Sequence, residues 1–242
     1  MIRDGLDGNL VSADGTFSET PELQSIQPSF SSVGYQIHST GYYIPAGILM
    51  EVSWSNANKP WSLLIGLHKA DLSNVTSDFR RWPKIAIRKV MKSSPMQLCS
   101  PFGGLVYLES PNEIRDKIVC NINNVVPAPT FTYKTAAKWE LFERSKPGLW
   151  CDIIGDKIAF TLPSSSIRSL TDLTKTMELW DSIVAAHINL RGKDTSNGRG
   201  EWVITDEQLH IDDEFMISGY PIVTHLDMAD PNKVRQLTPN GG

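Results

Sequence analysis

Residues Lys84–Val90 read KIAIRKV, and the spacing within that run decides how the chain around it folds. Ile85, Ile87 and Lys89 fall on one side of an extended backbone, and Lys84, Ala86 and Arg88 on the other. A period of two is what a strand with one buried face requires. Runs of the same kind lie outward in both directions: Leu49–Trp54, Trp61–Leu67, Gly104–Leu108, Lys117–Ile122 and Lys157–Leu162. Each is rich in Val, Ile, Leu, Tyr or Trp and is bounded by Gly, Pro, Asn or Ser. Many short strands with turn residues between them and no intervening helix predict a β-sandwich over residues 32–163.

The pattern changes on both flanks. Residues 1–31 mix Ser, Asp, Gly, Thr, Pro and Gln with few apolar positions, a composition that cannot repay its ordering entropy, and they predict a flexible leader. After Pro163, Leu173, Met177, Trp180, Ile183, Val184 and Ile188 recur at three- and four-residue steps. That spacing predicts a helix over Asp172–Leu190, with Thr171 or Asp172 as its cap and an end near Gly192. KDTSNGRG at 193–200 reads as a polar loop and EWVITDEQLHI at 201–211 as a strand. Residues 164–242 thus form a helix and sheet segment, and the fold class is mostly β with some α.

Hydrophobic residues make up 40% of the 242, enough for a real core. With 23 basic and 27 acidic residues, the net charge of −4 creates no field that gathers nucleic acid or an anionic membrane. No apolar run reaches the roughly 18 residues that span a bilayer. The opening MIRDGLDGNLVSADG has acids and glycines where a secretory leader needs apolar residues. Cys99, Cys120 and Cys151 are odd in number and lack C-x-x-C spacing, which reads as reduced thiols. These features point to the cytoplasm or the periphery of the plasma membrane, with secretion open if a signal has been lost.

The histidines are His38, His68, His187, His210 and His225, and none belongs to an H-E-x-x-H arrangement. The paired imidazoles and general-base Glu of a zinc peptidase helix are therefore absent. There is also no G-x-S-x-G elbow, phosphate loop or dinucleotide fingerprint. His187 sits where a cation complements a helix C-terminus. His210 precedes Asp212, Asp213 and Glu214, a cluster that reads as solvated surface. FRRWPKIAIRKVMK, Phe79–Lys92, holds six basic residues and no acid. It reads as a solvated strand face, against the alternative of a stripe for an acidic partner. In SPFGGLVYLESP, Ser100–Pro111, Gly103 and Gly104 enter an apolar strand, which marks a bulge or close backbone approach, or else a ligand-facing loop.

Taken in order, HSTGYYIPAG (His38–Gly47), LIGLHKADLS (Leu64–Ser73), RRWPKI (Arg80–Ile85), SPFGGLVYLESP, VVPAPTF (Val125–Phe131), LWDSIVAA (Leu179–Ala186) and SGYPIVTHLD (Ser218–Asp227) resemble the enhancin-like (mucin-degrading type) zinc metallopeptidase family. That family includes glycoprotein-cleaving microbial enzymes and the animal TRP-channel-associated factors. The similarity covers His38–Asp227, and its specificity lies in the ordered set, each motif alone being weak. It implies a β-sandwich lobe followed by the start of a gluzincin-like α+β lobe, whose H-E-x-x-H helix comes shortly after the segment matching SGYPIVTHLD. The chain is accordingly expected to be the front portion of the peptidase domain and to stop before the zinc helix. No zinc ligand or general base carries over to any residue here. No cofactor is expected in this chain, and zinc is expected in a complete parent domain. The chain departs from the family pattern at Leu67, Lys69 and Ala70, where Cys, Thr and Asp are usual, and at Ile217, where His often precedes SGYP.

The resemblance makes Gly219, Tyr220 and Pro221 candidate substrate-cleft residues together with Gly103 and Gly104; the alternative for the first three is a structural turn with a buried Tyr. Three functions follow: a peptidase portion whose parent acts on a glycoprotein or peptide substrate, a regulator that binds a membrane channel, or a carbohydrate-binding β-sandwich. The segment Trp202–His225 is expected to lack partner surface in this chain, because the one helix can cover only one side of its sheet.

Overall fold

A computed structural model of the protein describes residues 17, 19–75, 79–111, 115–192, 199–209 and 216–230. It divides into two compact units. The first comprises the described part of Met1–Leu67 with Ile85–Ala128 and Pro147–Leu149; the second comprises the described parts of His68–Lys84, Pro129–Lys146 and Trp150–Gly242.

The first unit is the expected β-sandwich, made by one sheet that curls over itself. Its strands are β1 (Gln24–Ile26), β2 (Ser29–Ser32), β3 (Ile37–Ile44), β4 (Leu49–Ser55), β5 (Ser62–Ile65), β6 (Ile87–Val90), β7 (Met96–Cys99), β8 (Gly104–Glu109) and β9 (Asp116–Pro127). The order is β6-β5-β8-β3-β9-β4-β7, with β1 and β2 also paired to β9. The long β9 makes the curl. Its residues Val119–Asn123 pair with β4, and Val126 and Pro127 pair with β3. Between these stretches Asn124 takes φ +66°, a left-handed conformation that Asn tolerates, and its Nδ2 donates to the Leu49 carbonyl at 2.8 Å. Serving both layers, β9 brings Ile118, Cys120 and Ile122 against Leu63, Val106 and Leu108 in one hydrocarbon core.

Two features differ from the sequence reading. Strands β1 and β2 lie within the expected leader, and residues 1–16 and 18 lie outside the described residues. SFSS is hard to recognise because Ser29 and Ser31 stay exposed; only Phe30 packs on the core, and backbone pairing with β9 does the rest. In KIAIRKV, Ile85 is buried and Ile87 half-buried as the alternation requires, but the strand itself starts at Ile87, where pairing with β5 begins.

The second unit contains β10 (Thr130–Thr132), α1 (Ala136–Trp139), β11 (Trp150–Ile154), β12 (Ile158–Pro163), α2 (Ser164–Ile167), α3 (Leu173–Arg191), β13 (Glu201–Asp206), β14 (Met216–Ile217) and β15 (Ile222–His225). Its sheet runs β10-β11-β12-β13-β15-β14. Strand β13 is parallel to both β12 and β15, while β11–β12 and β14–β15 are antiparallel. The sheets therefore do not part at Pro163, because β11 and β12 belong with β13. Periodicity marks a run as a strand without naming its partner, and the parallel β12–β13 pair needs α3 as its crossover.

Helix α3 begins where expected. The Asp172 carboxylate accepts from the Lys175 amide, and Gly192 at φ +67° closes the far end. Leu173, Met177, Trp180 and Val184 pack with Cys151, Ile153, Ile158 and Leu162 on one face of the sheet. Asp181 fastens the helix to the β11–β12 turn, accepting from the amides of Asp156 at 2.8 Å and Lys157 at 2.7 Å. Ile183 points off that face and is exposed, as is Leu190 near the helix end. Among the described residues no helix is long and apolar enough to cross a membrane.

Candidate functional site

Because Cys151, Ile153, Ile158 and Leu162 face α3, strand alternation turns Trp150, Asp152, Thr161, Trp202, Ile204 and Asp206 to the opposite face. That face is polar and buried. Trp202 Nε1 donates to Thr161 Oγ1 at 2.8 Å, and Thr161 Oγ1 donates to Asp152 Oδ1 at 2.7 Å. Residues His68–Lys84 come onto it. The His68 ring meets Trp150 edge-on at 4.8 Å. The Arg81 guanidinium grips Asp206 with both arms, Nε to Oδ1 at 2.6 Å and Nη2 to Oδ2 at 2.8 Å. Its remaining hydrogens go to the carbonyls of Trp82 at 2.7 Å, Ala70 at 3.1 Å and Pro83 at 3.3 Å. Arg80 adds a backbone bond to Gln208 Oε1 at 2.7 Å.

With Arg81 2% exposed and Asp206 fully buried, this pair survives loss of water only because the fork is bidentate and the other donors are used. Burial pushes the His68 pKa below its ordinary value; Asp206 opposes that shift and Arg81 reinforces it.

The basic stripe Phe79–Lys92 is thus corrected. It is not one solvated strand face: Arg81 is internal, Lys84 pairs with Asp71, and in the first unit Arg88 pairs with Glu109. A sequence signal for the buried pair existed in EWVITD, since period two sets Asp206 on the same side as Trp202 and Ile204. An acid on an apolar face demands a partner. The described part of the Trp202–His225 segment is also better covered than expected: Trp202, Ile204, Leu209 and Val223 are buried, and His68 and Arg81 lie on the sheet face that α3 leaves open.

At the other end of this sheet, β14 pairs with β15 and has no other sheet partner among the described residues. Met216 is 60% exposed. The turn that follows contains Gly219, at φ +130°, and a cis Tyr220–Pro221 bond. The Lys69 ammonium occupies the space that a Cβ on Gly219 would take. Arg199 lies over the Tyr220 ring, 3.8 Å from its centroid. Pro221 is buried, whereas Tyr220 is only half-buried.

Residues 20–123 match the N-terminal domain of M60-like peptidases, and residues 124–236 match peptidase M60, enhancin and enhancin-like. The chain belongs to the enhancin-like M60 peptidase family. The two matched regions of this M60-like chain meet at Asn124, the residue at which β9 passes from one layer to the other. TRPM8 channel-associated factor 1 of Pongo abelii is 26% identical over 215 residues, 87% of this chain and 23% of that protein. TRPM8 channel-associated factor 3 of Rattus norvegicus is 30% identical over 191 residues, 76% of this chain and 20% of that protein. The IMPa metallopeptidase from Pseudomonas aeruginosa shares the fold, with a TM-score of 0.66 at 11% identity, over 89% of this chain and 29% of that one. The M60-like chain therefore spans about a fifth to a quarter of the length of these curated relatives.

Zinc is the metal that an M60 peptidase implies, and the described residues gather no ligand set for it. Among the described residues no three His, Cys, Asp or Glu side chains gather to hold an ion. His210, Asp212, Asp213 and Glu214 lie outside the described residues, as do residues 193–198 of the polar loop. His38 is packed between the Phe30 and Trp61 rings, where burial lowers its pKa to about 4. His187 is exposed on α3, and His225 Nδ1 accepts from the Asp227 amide. Cys99, Cys120 and Cys151 form no disulfide, and the Cys151 thiol donates to the Leu162 carbonyl. Of the M60-like cleft candidates, Gly219, Tyr220 and Pro221 lie in the second unit, while Gly103 and Gly104 lie in the first. A Cβ on Gly103 would stand 2.7 Å from the Ile44 carbonyl oxygen, and one on Gly104 would stand 3.0 Å from the Gly66 amide, so both glycines permit close backbone approach.

Proposed function

We propose that this M60-like chain supplies the sandwich and a peptide-holding edge to a peptidase-type domain that acts on glycoproteins. The observation that carries this reading is β14, a short antiparallel strand at the sheet edge with no outer partner among the described residues, followed by the Gly219–Tyr220–Pro221 turn. Unpaired edge N–H and C=O groups accept an extended peptide as an added strand. Gly219, Tyr220 and Pro221 line the cleft in this reading, and Gly103 and Gly104 serve packing inside the sandwich. The IMPa metallopeptidase has been solved in complex with an O-glycopeptide, which supports a glycopeptide ligand for a shared fold. No residue of this chain is assigned the hydrolytic step.

The test is hydrogen exchange with and without an extended O-glycopeptide. Exchange at the Met216–Ser218 amides should slow on binding, and unchanged exchange there at saturating peptide would remove the edge from the binding site.

A second reading is favoured by sequence identity, which is 26–30% with the channel-associated factors and 10–14% with the metallopeptidases of known structure. In it the same edge grips an extended segment of a membrane channel without cleaving it. Slowed exchange on adding a channel-derived segment, with no protection from glycopeptide, would select this reading over the first.

A further inference from the structure

We infer that the Gly219–Pro221 turn selects ligands carrying a carboxylate next to the bound backbone, and that Lys69 is the residue that reads it. The inference rests on the edge-strand reading above and adds the chemical class of what the edge holds.

The Lys69 ammonium fills the volume where any side chain on residue 219 would begin. Gly219 therefore serves twice, by adopting φ +130°, which L side chains rarely adopt, and by leaving the α-carbon bare for the cation. Among the described residues Lys69 takes part in no hydrogen bond or ion pair. Asp71, the acid nearest Lys69 in sequence, pairs with Lys84. The backbone that carries Lys69 is held on both sides. His68 packs on Trp150, and the Ala70 carbonyl accepts from Arg81.

One residue further along the turn, the Arg199 guanidinium covers Tyr220. Successive residues of one turn, about 3.8 Å apart at their α-carbons, thus each carry a cation. An anion arriving beside Gly219 meets the Lys69 charge on a backbone already held, so less ordering remains to be done at binding. Partial burial also lowers the Lys69 pKa, the direction expected of an ammonium whose lost hydration nothing has replaced. A carboxylate fits this site whether it belongs to an acidic side chain of the peptide or to an acidic sugar attached to it.

The experiment measures fluorescence anisotropy of two labelled extended peptides, identical except for a central Glu or Gln, on the 242-residue chain. N-acetylneuraminic acid and its methyl ester are tested in parallel by ligand-observed NMR. The Glu peptide should bind about fourfold more tightly than the Gln peptide, the gain expected of one exposed ion pair. Lys69→Met should remove that preference, while Lys69→Arg should keep most of it. A Lys69-dependent preference for N-acetylneuraminic acid over its ester would identify the sugar as the source of the carboxylate, and a preference confined to the Glu peptide would identify the side chain. Equal binding of the two peptides, or a preference that survives Lys69→Met, overturns the inference and leaves the edge-strand reading standing. If neither peptide binds but the acidic sugar does so through Lys69, the edge-strand reading fails and the acid site stands. If no carboxylate probe binds, both fail.

Discussion

In the first unit the inward side chains of the curled sheet meet other parts of the same sheet, and Leu63, Leu108 and Ile122 share one hydrocarbon core. In the second unit one sheet face is hydrocarbon under α3, and the other carries Asp152, Thr161, Trp202 and Asp206 beneath a segment fastened by Arg81. A hydrocarbon core is non-directional and can be built from any apolar side chains of suitable volume. A buried polar face works only when each donor finds its acceptor, and failure of one contact strands the other partner. The second arrangement therefore places backbone accurately. It holds the segment that presents Lys69 to the Gly219 turn, which is where the candidate site lies.

The sharpest way to break this contrast is to remove one half of the ion pair. Arg81→Ala should destabilise the second unit by about 3–5 kcal/mol, because it leaves the Asp206 carboxylate buried without a partner. Native-state hydrogen exchange should show the loss in β11–β13 and leave the sandwich strands protected. Replacing both partners with apolar residues, as in Arg81→Met with Asp206→Leu, should recover most of that stability. A single variant no less stable than the parent would show that the polar face contributes nothing to holding the segment.

Leu63→Ala probes the other unit and should cost about 3 kcal/mol through lost burial and a residual cavity. Here the exchange pattern should invert, with β3, β5, β8 and β9 losing protection and α3 keeping it. Equal losses in both units would show that they unfold as one body.

The smallest expected effect depends on pH. Burial holds His38 neutral, with a pKa of about 4 against the ordinary 6.5. Between those values the unfolded chain binds more protons than the folded one, so the His38 contribution is fully present above pH 6.5 and is lost as pH falls toward about 4. His68 is shifted in the same direction in the second unit, so acidification should weaken both. Urea midpoints across that window should fall with pH. His38→Gln should flatten the slope in the sandwich alone, and an unchanged sandwich slope in that variant would remove His38 as its source.

Local pattern alone determined much of this protein. The alternation in KIAIRKV and its neighbours identified strands, and the three- and four-residue spacing after Asp172, closed by Gly192, identified α3 nearly to its ends. Those signals are legible because periodicity records which side of a single element is buried. The ordered motifs carried the resemblance to M60-like peptidases.

Tertiary structure alone decided which strands share a sheet. It put Trp150–Ile154 and Ile158–Pro163 in one sheet with Glu201–Asp206 and drew Gln24–Ile26 and Ser29–Ser32 onto β9. It also turned Arg81 from a presumed surface cation into the partner of Asp206, 125 residues away, and set Lys69 against Gly219. The physical reason is common to all of these. Backbone pairing and charge pairing join groups distant in the chain, and their energy depends on positions that no local spacing encodes.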